Sequence, residues 1–406
     1  MSNPDKSEDH HGDVATPPSW LDTQLIRQAL RNGGEHNPVV ASISVRHAVA
    51  PGENYISTVY RVMATLSDGR QRHFIIKGPA MGGLSEMAKG TCVFQREIDM
   101  FTDYIPKMEA LLEAAAPGRF PPLAPRCYHY GTSPVEFLVM EDLAPSGFKL
   151  ADRKRGLGLR HSLLALRTLA RFHAASYALL KRQPELTEQL DNILKSDNQA
   201  MVDYVNGELQ ATAIACRSWP GFEEIADRLE KFKSVSGIVF DEVNKPTPGA
   251  FNVITHGDFW VNNMMYRYED GHPMELKLVD LQLSHVSSPA IDVLHVFSNS
   301  LSEDVDEHHQ PFLLREYHFE LKTTLELLGH EAPSPAWLER SLDAHGAYAV
   351  FTALETPLVK AERGVDVAAL SGGDCAPLLR LLRAQPLRRR MQRKLKDYAR
   401  RGRLPA

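Results

Sequence analysis

His256-Gly257-Asp258-Phe259-Trp260-Val261-Asn262-Asn263 is followed shortly by Lys277-Leu278-Val279-Asp280-Leu281-Gln282. The two runs have the order and spacing of a phosphotransfer site. In that pattern a catalytic-loop Asp accepts the proton of the attacking hydroxyl, an Asn at the far end of the same loop binds magnesium, and a second Asp beyond a short strand binds magnesium too. Asp258, Asn263 and Asp280 fit it. The chemistry requires the spacing, because one loop must aim a carboxylate at the acceptor while its end turns an amide oxygen toward the metal. A hard dication bridging phosphate oxygens takes oxygen ligands of this kind. A His-x-Asp turn alone says little; the apolar strands expected before each carboxylate, over 251–254 and 276–279, make the set specific. His256 reads as a structural hydrogen-bonding residue, since the adjacent Asp is better suited to be the base.

The chain of 406 residues is 43% hydrophobic and 24% charged, with room for two lobes. No stretch is long and apolar enough to span a bilayer, and the start is polar, so a non-secreted, cytoplasmic protein is expected. Cys92, Cys127, Cys216 and Cys375 fit no zinc spacing and are expected to be reduced thiols acting as small buried hydrophobes. The net charge of -5 hides an asymmetry: residues 388–403 hold nine Arg or Lys against the single acid Asp397. Such a segment can bind a polyanion, but Leu387, Met391, Leu395 and Tyr398 recur at helical spacing, which predicts a C-terminal helix docked by one face with its charges solvated.

Ahead of the central runs the pattern is β-rich. Residues 1–18 read as a disordered tail. A helix is predicted over 18–31, closed by Asn32-Gly33-Gly34, and then strands over 39–49, 57–66 and 72–78, the last two joined by Ser67-Asp68-Gly69. Between the first two strands lies Pro51-Gly52-Glu53-Asn54-Tyr55-Ile56-Ser57. Backbone N–H groups there and the Ser57 hydroxyl could hold phosphates, although alone the segment is a hairpin turn. Lys77 ends a strand. Glu97 lies on a predicted helix, 85–104, whose apolar side carries Phe94, Ile98 and Phe101, and a strand over 135–141 runs into Glu141-Asp142-Leu143.

Beyond residue 145 the periodicity becomes helical. Leu163, Leu166, Ala170, His173 and Tyr177 share one face of a helix over 158–182, with His173 read as a core histidine. Residues 183–250 mix helix and loop, and 244–249 form a connector. Ser288-Pro289-Ala290-Ile291-Asp292 opens another helix. The acidic run 303–307 could attract a cationic substrate, but Ser302 as an N-cap with acids in the first turn is the preferred reading. Helices over 310–329 and 335–361 follow. Trp219, Trp260, Phe297, Tyr348 and Phe351 are candidates for pocket walls or for core.

These segments, with Phe74-Ile75-Ile76-Lys77, Phe94-Gln95-Arg96-Glu97, Leu138-Val139-Met140-Glu141-Asp142-Leu143 and Phe172-His173-Ala174-Ala175-Ser176-Tyr177, resemble the ecdysteroid kinase-like (CHK kinase-like) family of small-molecule kinases, relatives of choline kinases and aminoglycoside phosphotransferases. Leu281 stands where Phe is commoner. The resemblance implies an α+β, two-lobed, protein-kinase-like fold: a small β-rich N-lobe over 19–143, ending in a hinge, and a larger, mostly helical C-lobe over 144–406. It implies ATP and Mg2+ as cofactors. Gly52 and Ser57 would sit at the phosphates, Lys77 would contact them and be held by Glu97, and main-chain groups from Met140 to Leu143 would take the adenine. Asp258 would be the base, Asn263 and Asp280 the metal ligands, and Asp292 the brace of the catalytic loop.

The expected activity is transfer of the γ-phosphate of ATP to a hydroxyl of a small molecule. The resemblance points to an ecdysteroid or a similar steroid-like or xenobiotic alcohol, and Phe259, Trp260, Val286 and Phe297 are the expected apolar walls. A protein kinase is disfavoured because no Asp-Phe-Gly or Ala-Pro-Glu pair brackets an activation segment. The alternatives are a choline-, ethanolamine- or aminoglycoside-type kinase, or an inactive pseudokinase that binds a hydrophobic ligand. No nucleic acid, membrane or obligate protein partner is expected.

Overall fold

The computed structural model describes residues 17–48, 57–79, 92–133, 135–193, 195–361 and 367–405. Gly52, the loop around it, the N-terminal tail and the predicted start of the helix at 85 lie outside the described residues. The chain divides into two compact units: residues 1–85 with 126–142, and residues 86–125 with 143–406.

The first unit is an antiparallel sheet with one helix on its face. Its strands are β1 (Val40–His47), β2 (Ser57–Leu66), β3 (Gln71–Pro79), β4 (Cys127–Gly131) and β5 (Phe137–Glu141), in the order β1-β2-β3-β5-β4. β2 and β3 are joined through Ser67-Asp68-Gly69, where Gly69 takes a φ of 84° that favours glycine. Val62, Ala64, Phe74, Ile76 and Val139 bury one sheet face against Leu25, Ile26, Ala29 and Leu30 of the helix Thr23–Asn32. That helix starts later than the predicted 18. Asp22 is its N-cap, accepting the N–H groups of Gln24 and Leu25, both at 2.9 Å. β4 has no alternating burial pattern, which is why the sequence does not announce it.

The second unit is mostly helical. The helix Val93–Asp99 continues through a π turn, Met100–Tyr104, into Ile105–Ala115, well past the predicted end at 104. Ile105, Met108, Leu111 and Leu112 extend its buried face, and nothing stops the helix until Pro117-Gly118. Leu159–Arg182 falls within a residue of its predicted bounds and packs lengthwise on Gln310–Leu327, with ion pairs Arg167–Glu316 and Arg171–Glu320 at 2.6 Å each. Between 183 and 250 the helices are the short Leu186–Gln189, then Gln199–Arg217, Glu223–Lys233 and Ser236–Asn244. Two small sheets complete the unit: β6 (Phe148–Leu150), β8 (Met264–Glu269) and β9 (His272–Leu278) form one, while β7 (Val253–Thr255) pairs antiparallel with β10 (His285–Ser287). The predicted helix 335–361 is three helices, Pro335–Ala344, Gly346–Leu354 and Thr356–Lys360, interrupted at His345 and at Glu355. All four cysteines are free thiols, but only Cys216 is buried, so the small-hydrophobe role holds there alone.

The C-terminal helix Gln385–Arg400 docks by Met391, Leu395 and Tyr398, as its periodicity predicts. Its charges are not all solvated, however, because Arg390 and Lys394 are carried into the interior beside the apolar face. Asp306, on the helix Glu303–His308, is buried against them: it accepts from Lys394 Nζ at 2.9 Å, lies 3.8 Å from Arg390 and hydrogen-bonds Arg393. Ser302 stands at the N-cap with Glu303, Asp304 and Asp306 in the first turn, as predicted, although its side chain makes no capping bond, and Asp306 serves in addition as the counter-charge of the docked helix. Burial favours the neutral acid, yet Lys394 and Arg390 outweigh it and hold the Asp306 carboxyl below its ordinary range.

Removing that carboxylate leaves two buried cations unpaired. Asp306→Asn should lower unfolding stability by about 3–5 kcal/mol in urea titrations, whereas Asp304→Asn, on an exposed side chain, should change little. In wild type this contribution is present above the ordinary carboxylate pKa and is lost as pH falls through the depressed value. Equal stability of the two variants would mean that Asp306 does not anchor the helix.

Candidate active site

β7 is buried at all three positions and pairs with β10 through Thr255 and His285, so the chain leaves the core at a fixed point. It then turns at Gly257, whose φ is 80°. A Cβ there would stand 2.1 Å from the main-chain oxygen of Leu283. The loop ends in a 3-10 turn, Val261–Asn263, that runs directly into β8. β8 pairs with β9 with Met264 opposite Leu278, and Val279 N–H donates to the Asn263 oxygen at 3.1 Å. Asn263 and Asp280 therefore share one end of a hairpin. Asp280 holds a φ of 65°, a left-handed conformation rare outside glycine and typical of functional turns.

The loop is fixed by Asp292, the first-turn acid of the helix Ala290–His295. Its carboxylate accepts the N–H of His256 at 2.7 Å, that of Gly257 at 3.0 Å and His173 Nε2–H at 2.9 Å. His173 Nδ1 in turn takes the Tyr317 hydroxyl at 2.7 Å, which fixes the imidazole tautomer. Burial works against the charged form of Asp292, but the His173 bond and the nearby His173 and His256 hold its carboxyl below the usual value. His256 is a strut: Nε2 donates to the Val279 oxygen at 3.1 Å and Nδ1 accepts the Asp258 N–H at 3.3 Å. Burial lowers its pKa, in keeping with a neutral ring.

Asp258 is a quarter exposed. Its Oδ2 accepts from Asn263 Nδ2 at 2.8 Å and from Trp260 Nε1 at 3.2 Å. Burial raises its pKa to about 7; His295 and the Asn263 bond oppose this, while Asp280 and Glu355 add to it. Asn263 Nδ2 also donates to the Asp258 main-chain oxygen at 3.0 Å. That partner only accepts, so the amide must present its nitrogen there, and Oδ1, which takes no hydrogen bond among the described residues, is left as a donor atom for a cation. One amide oxygen and one carboxylate, from Asn263 and Asp280, suit magnesium, which keeps waters and phosphate oxygens in its other positions. Among the described residues no group of three His, Cys, Asp or Glu could form a metal cage, and this donor set does not need one.

The remaining expected site residues are divided between the units. Ser57 opens β2 opposite Pro79, Lys77 is buried in β3 between Val59 and Leu138, and Met140 is buried in β5 opposite Ile75. Glu97 and Leu143 are buried in the second unit. Beside Glu97, Arg96 grips the main-chain oxygens of Gln189, Asp191 and Ser284, tying the helix Val93–Asp99 to the segment before β10.

Of the expected apolar walls, Phe259 and Val286 are fully buried core, and Phe297 is buried on the far face of its helix beside Leu294 and Ser298. Only Trp260 is partly open, because a strand pair and a tight turn have no room to present more. The aromatic residues around the loop are instead Tyr348, whose hydroxyl donates to the Gly257 oxygen at 3.4 Å, and Phe240, with ring centres 6.5 Å apart. The sequence reading also missed an acid–histidine group. His295 Nε2 lies 3.8 Å from Asp258 Oδ1 and 3.6 Å from Glu355 Oε2. Burial and then Glu355 raise the carboxyl of Glu208, in the helix Gln199–Arg217, well above the usual range. The Asp292-x-x-His295 spacing, one helical turn, is a signal that could have found His295. Nothing local points to Glu355 or Glu208.

Gly257→Ala tests the turn. It combines an unfavourable φ with a main-chain clash, so the unfolding midpoint should fall further than for Gly271→Ala, where φ is 75° but a Cβ meets nothing within 4 Å. The latter should cost about 1–3 kcal/mol at most. If the two are equally mild, the Leu283 contact does not constrain the loop.

No curated protein matches the chain. The family model described as the ecdysteroid kinase-like family matches residues 51–330, a span that holds the loop, the hairpin and the brace together. The general class of activity that follows is that of small-molecule, kinase-like phosphotransferases. With well over half of its length matched, the chain belongs to the ecdysteroid kinase-like family.

Proposed function

We propose that the protein transfers the γ-phosphate of ATP to a hydroxyl of a small, largely apolar molecule, an ecdysteroid or a similar steroid or xenobiotic alcohol. The observation that carries this reading is the end of the β8–β9 hairpin shared by Asn263 and Asp280, which the loop anchored by Asp292 reaches with the Asp258 carboxylate bonded to Asn263. Asp258 takes the proton as the acceptor O–H bond breaks. The freed electron pair forms a bond to the γ-phosphorus, and the bond from that phosphorus to its bridging oxygen breaks to release ADP. Asn263 and Asp280 would hold magnesium, which neutralises charge on the phosphate oxygens.

On this reading Lys77 would contact the α and β phosphates with Glu97 as its expected partner, Gly52 and Ser57 would support them, and main-chain groups from Met140 to Leu143 would take the adenine. Trp260 and Phe240, both partly exposed, supply apolar surface for the acceptor with the buried Tyr348 behind it, and the polar groups orient one hydroxyl toward Asp258. The reading places the protein in the cytoplasm; no helix among the described residues is long and apolar enough to cross a membrane. A second reading, a cationic acceptor of the choline or aminoglycoside type, is favoured by one observation: Glu355 adds a carboxylate near Asp258.

Asp258→Asn should leave ATP binding nearly intact and lower turnover by roughly 10²- to 10⁴-fold. Turnover within twofold of wild type at saturating ATP would remove Asp258 from the mechanism. The two acceptor readings separate in a competition at equal concentrations: phosphate should pass to an ecdysteroid well ahead of choline, ethanolamine or kanamycin. A cationic winner would replace the apolar assignment and leave the phosphotransfer chemistry standing.

A further inference from the structure

We propose that His295, held by Glu355, positions the Oδ1 oxygen of Asp258, so that the carboxylate of the catalytic loop is set at both oxygens before the acceptor arrives. The inference rests on the reading of Asp258 as base. Oδ2 is already fixed by Asn263 and Trp260. Oδ1 lies 3.8 Å from His295 Nε2, and Glu355 Oε2 lies 3.6 Å from the same nitrogen.

A histidine in this interior does not ordinarily look like this. His173 has both ring nitrogens in hydrogen bonds, at 2.7 and 2.9 Å, and His256 has both at 3.1 and 3.3 Å. Those two are struts. Neither nitrogen of His295 reaches a hydrogen-bond partner, although the side chain is only 4% exposed. A buried polar group left this way costs stability unless the site uses it. What surrounds it is charge: Asp258 and Glu355 on Nε2, Asp292 one helical turn back on the same helix, and the Tyr348 ring edge-on at 6.0 Å. Burial opposes the imidazolium, but Glu355 at 3.6 Å and then the charges of Asp258 and Asp292 raise its pKa above the ordinary value.

The arrangement gives each residue one task. Glu355, anchored by Asn299 Nδ2 at 3.3 Å, steers the ring. His295 keeps its own proton and points an N–H at Oδ1, a contact that shortens when the site closes around reactants, as catalytic hydrogen bonds commonly do. The acceptor's proton still goes to Asp258. Because Asp292 and His295 lie one turn apart on one helix, the same element sets the loop's backbone and its carboxylate.

The experiment measures ATP-dependent phosphorylation of the acceptor by wild type, His295→Ala, His295→Gln, Glu355→Gln and the double variant His295→Ala/Glu355→Gln, with Asp258→Asn beside them. His295→Ala should lower kcat about 10- to 100-fold with KM for ATP unchanged within twofold. His295→Gln, which keeps an N–H donor, should recover most of that loss. Glu355→Gln should lower kcat several-fold in the wild-type background and have no further effect in the His295→Ala background, because it acts through the ring. The proposal is overturned if His295→Ala and His295→Gln both keep wild-type kcat while Asp258→Asn is inactive, which would leave the base assignment intact. It is equally overturned if the alanine and glutamine variants lose activity only in proportion to a lost folded fraction by circular dichroism. An active Asp258→Asn removes the base assignment itself, and this inference with it.

Discussion

A buried carboxylate that stays ionised must gather donors, and Asp292 gathers three. Unaided, an ionised carboxylate in the interior costs several kcal/mol. Two main-chain N–H groups and His173 offset that cost through charge-assisted hydrogen bonds of about 1.5–3 kcal/mol each. The reciprocal effect matters more for the site. Once Asp292 demands the N–H groups of His256 and Gly257, the chain at those residues has one conformation, and Gly257 must adopt a positive φ to present its N–H while clearing Leu283. The direction in which Asp258 leaves the turn is therefore a consequence of a residue far along the sequence.

The second constraint is register. His256 bonds the main chain of Val279, and Val279 bonds that of Asn263, so loop, strand end and Asp280 are cross-tied through backbone groups that carry no sequence information. A one-residue slip of β8 against β9 would turn Met264 and Leu278 outward and separate Asn263 from Asp280. Arg96 extends the tie, since the Ser284 it holds by the carbonyl donates its hydroxyl to the His256 oxygen at 3.2 Å. The helix carrying Glu97 is thus fastened to the catalytic loop within one unit.

This explains which parts of the structure were legible in the sequence. The Asp258, Asn263 and Asp280 spacing could be read because it is local and the chemistry allows few alternatives. The long helix Leu159–Arg182 and strands β2 and β3 could be read because each buries one face at a regular period. β8 was missed although Asp270-Gly271 is a strong hairpin signal; both residues have positive φ, as a tight hairpin turn requires. β4, β6 and β10 are short and have no period of their own. Glu355 and Glu208 were not legible at all, because Glu355 matters through its tertiary proximity to His295, and Glu208 through its proximity to Glu355, and not through neighbours in sequence. The apolar walls failed for the opposite reason: Phe259 and Val286 lie close to the site in sequence, but both pack into the core, Phe259 from the loop and Val286 from β10, which is buried at all three positions.

The basic C-terminal segment shows how far composition can mislead when charges are counted without partners. Lys394, Arg393 and Arg390 converge on Asp306, and Arg393 also reaches Glu307 at 3.0 Å. Arg400 and Arg401 pair with Asp397, and Arg403 lies 3.4 Å from Asp343. Arg388 and Lys396 stand over the rings of Trp219 and Phe222. The exposed pairs contribute little individually, but a cation already facing a carboxylate or a ring has less to offer a polyanion. The strong positive field read from residues 388–403 is thus largely cancelled within the fold. Its densest part, around Arg390 and Lys394, acts as the electrostatic half of a docking interface whose apolar half is Met391, Leu395 and Tyr398.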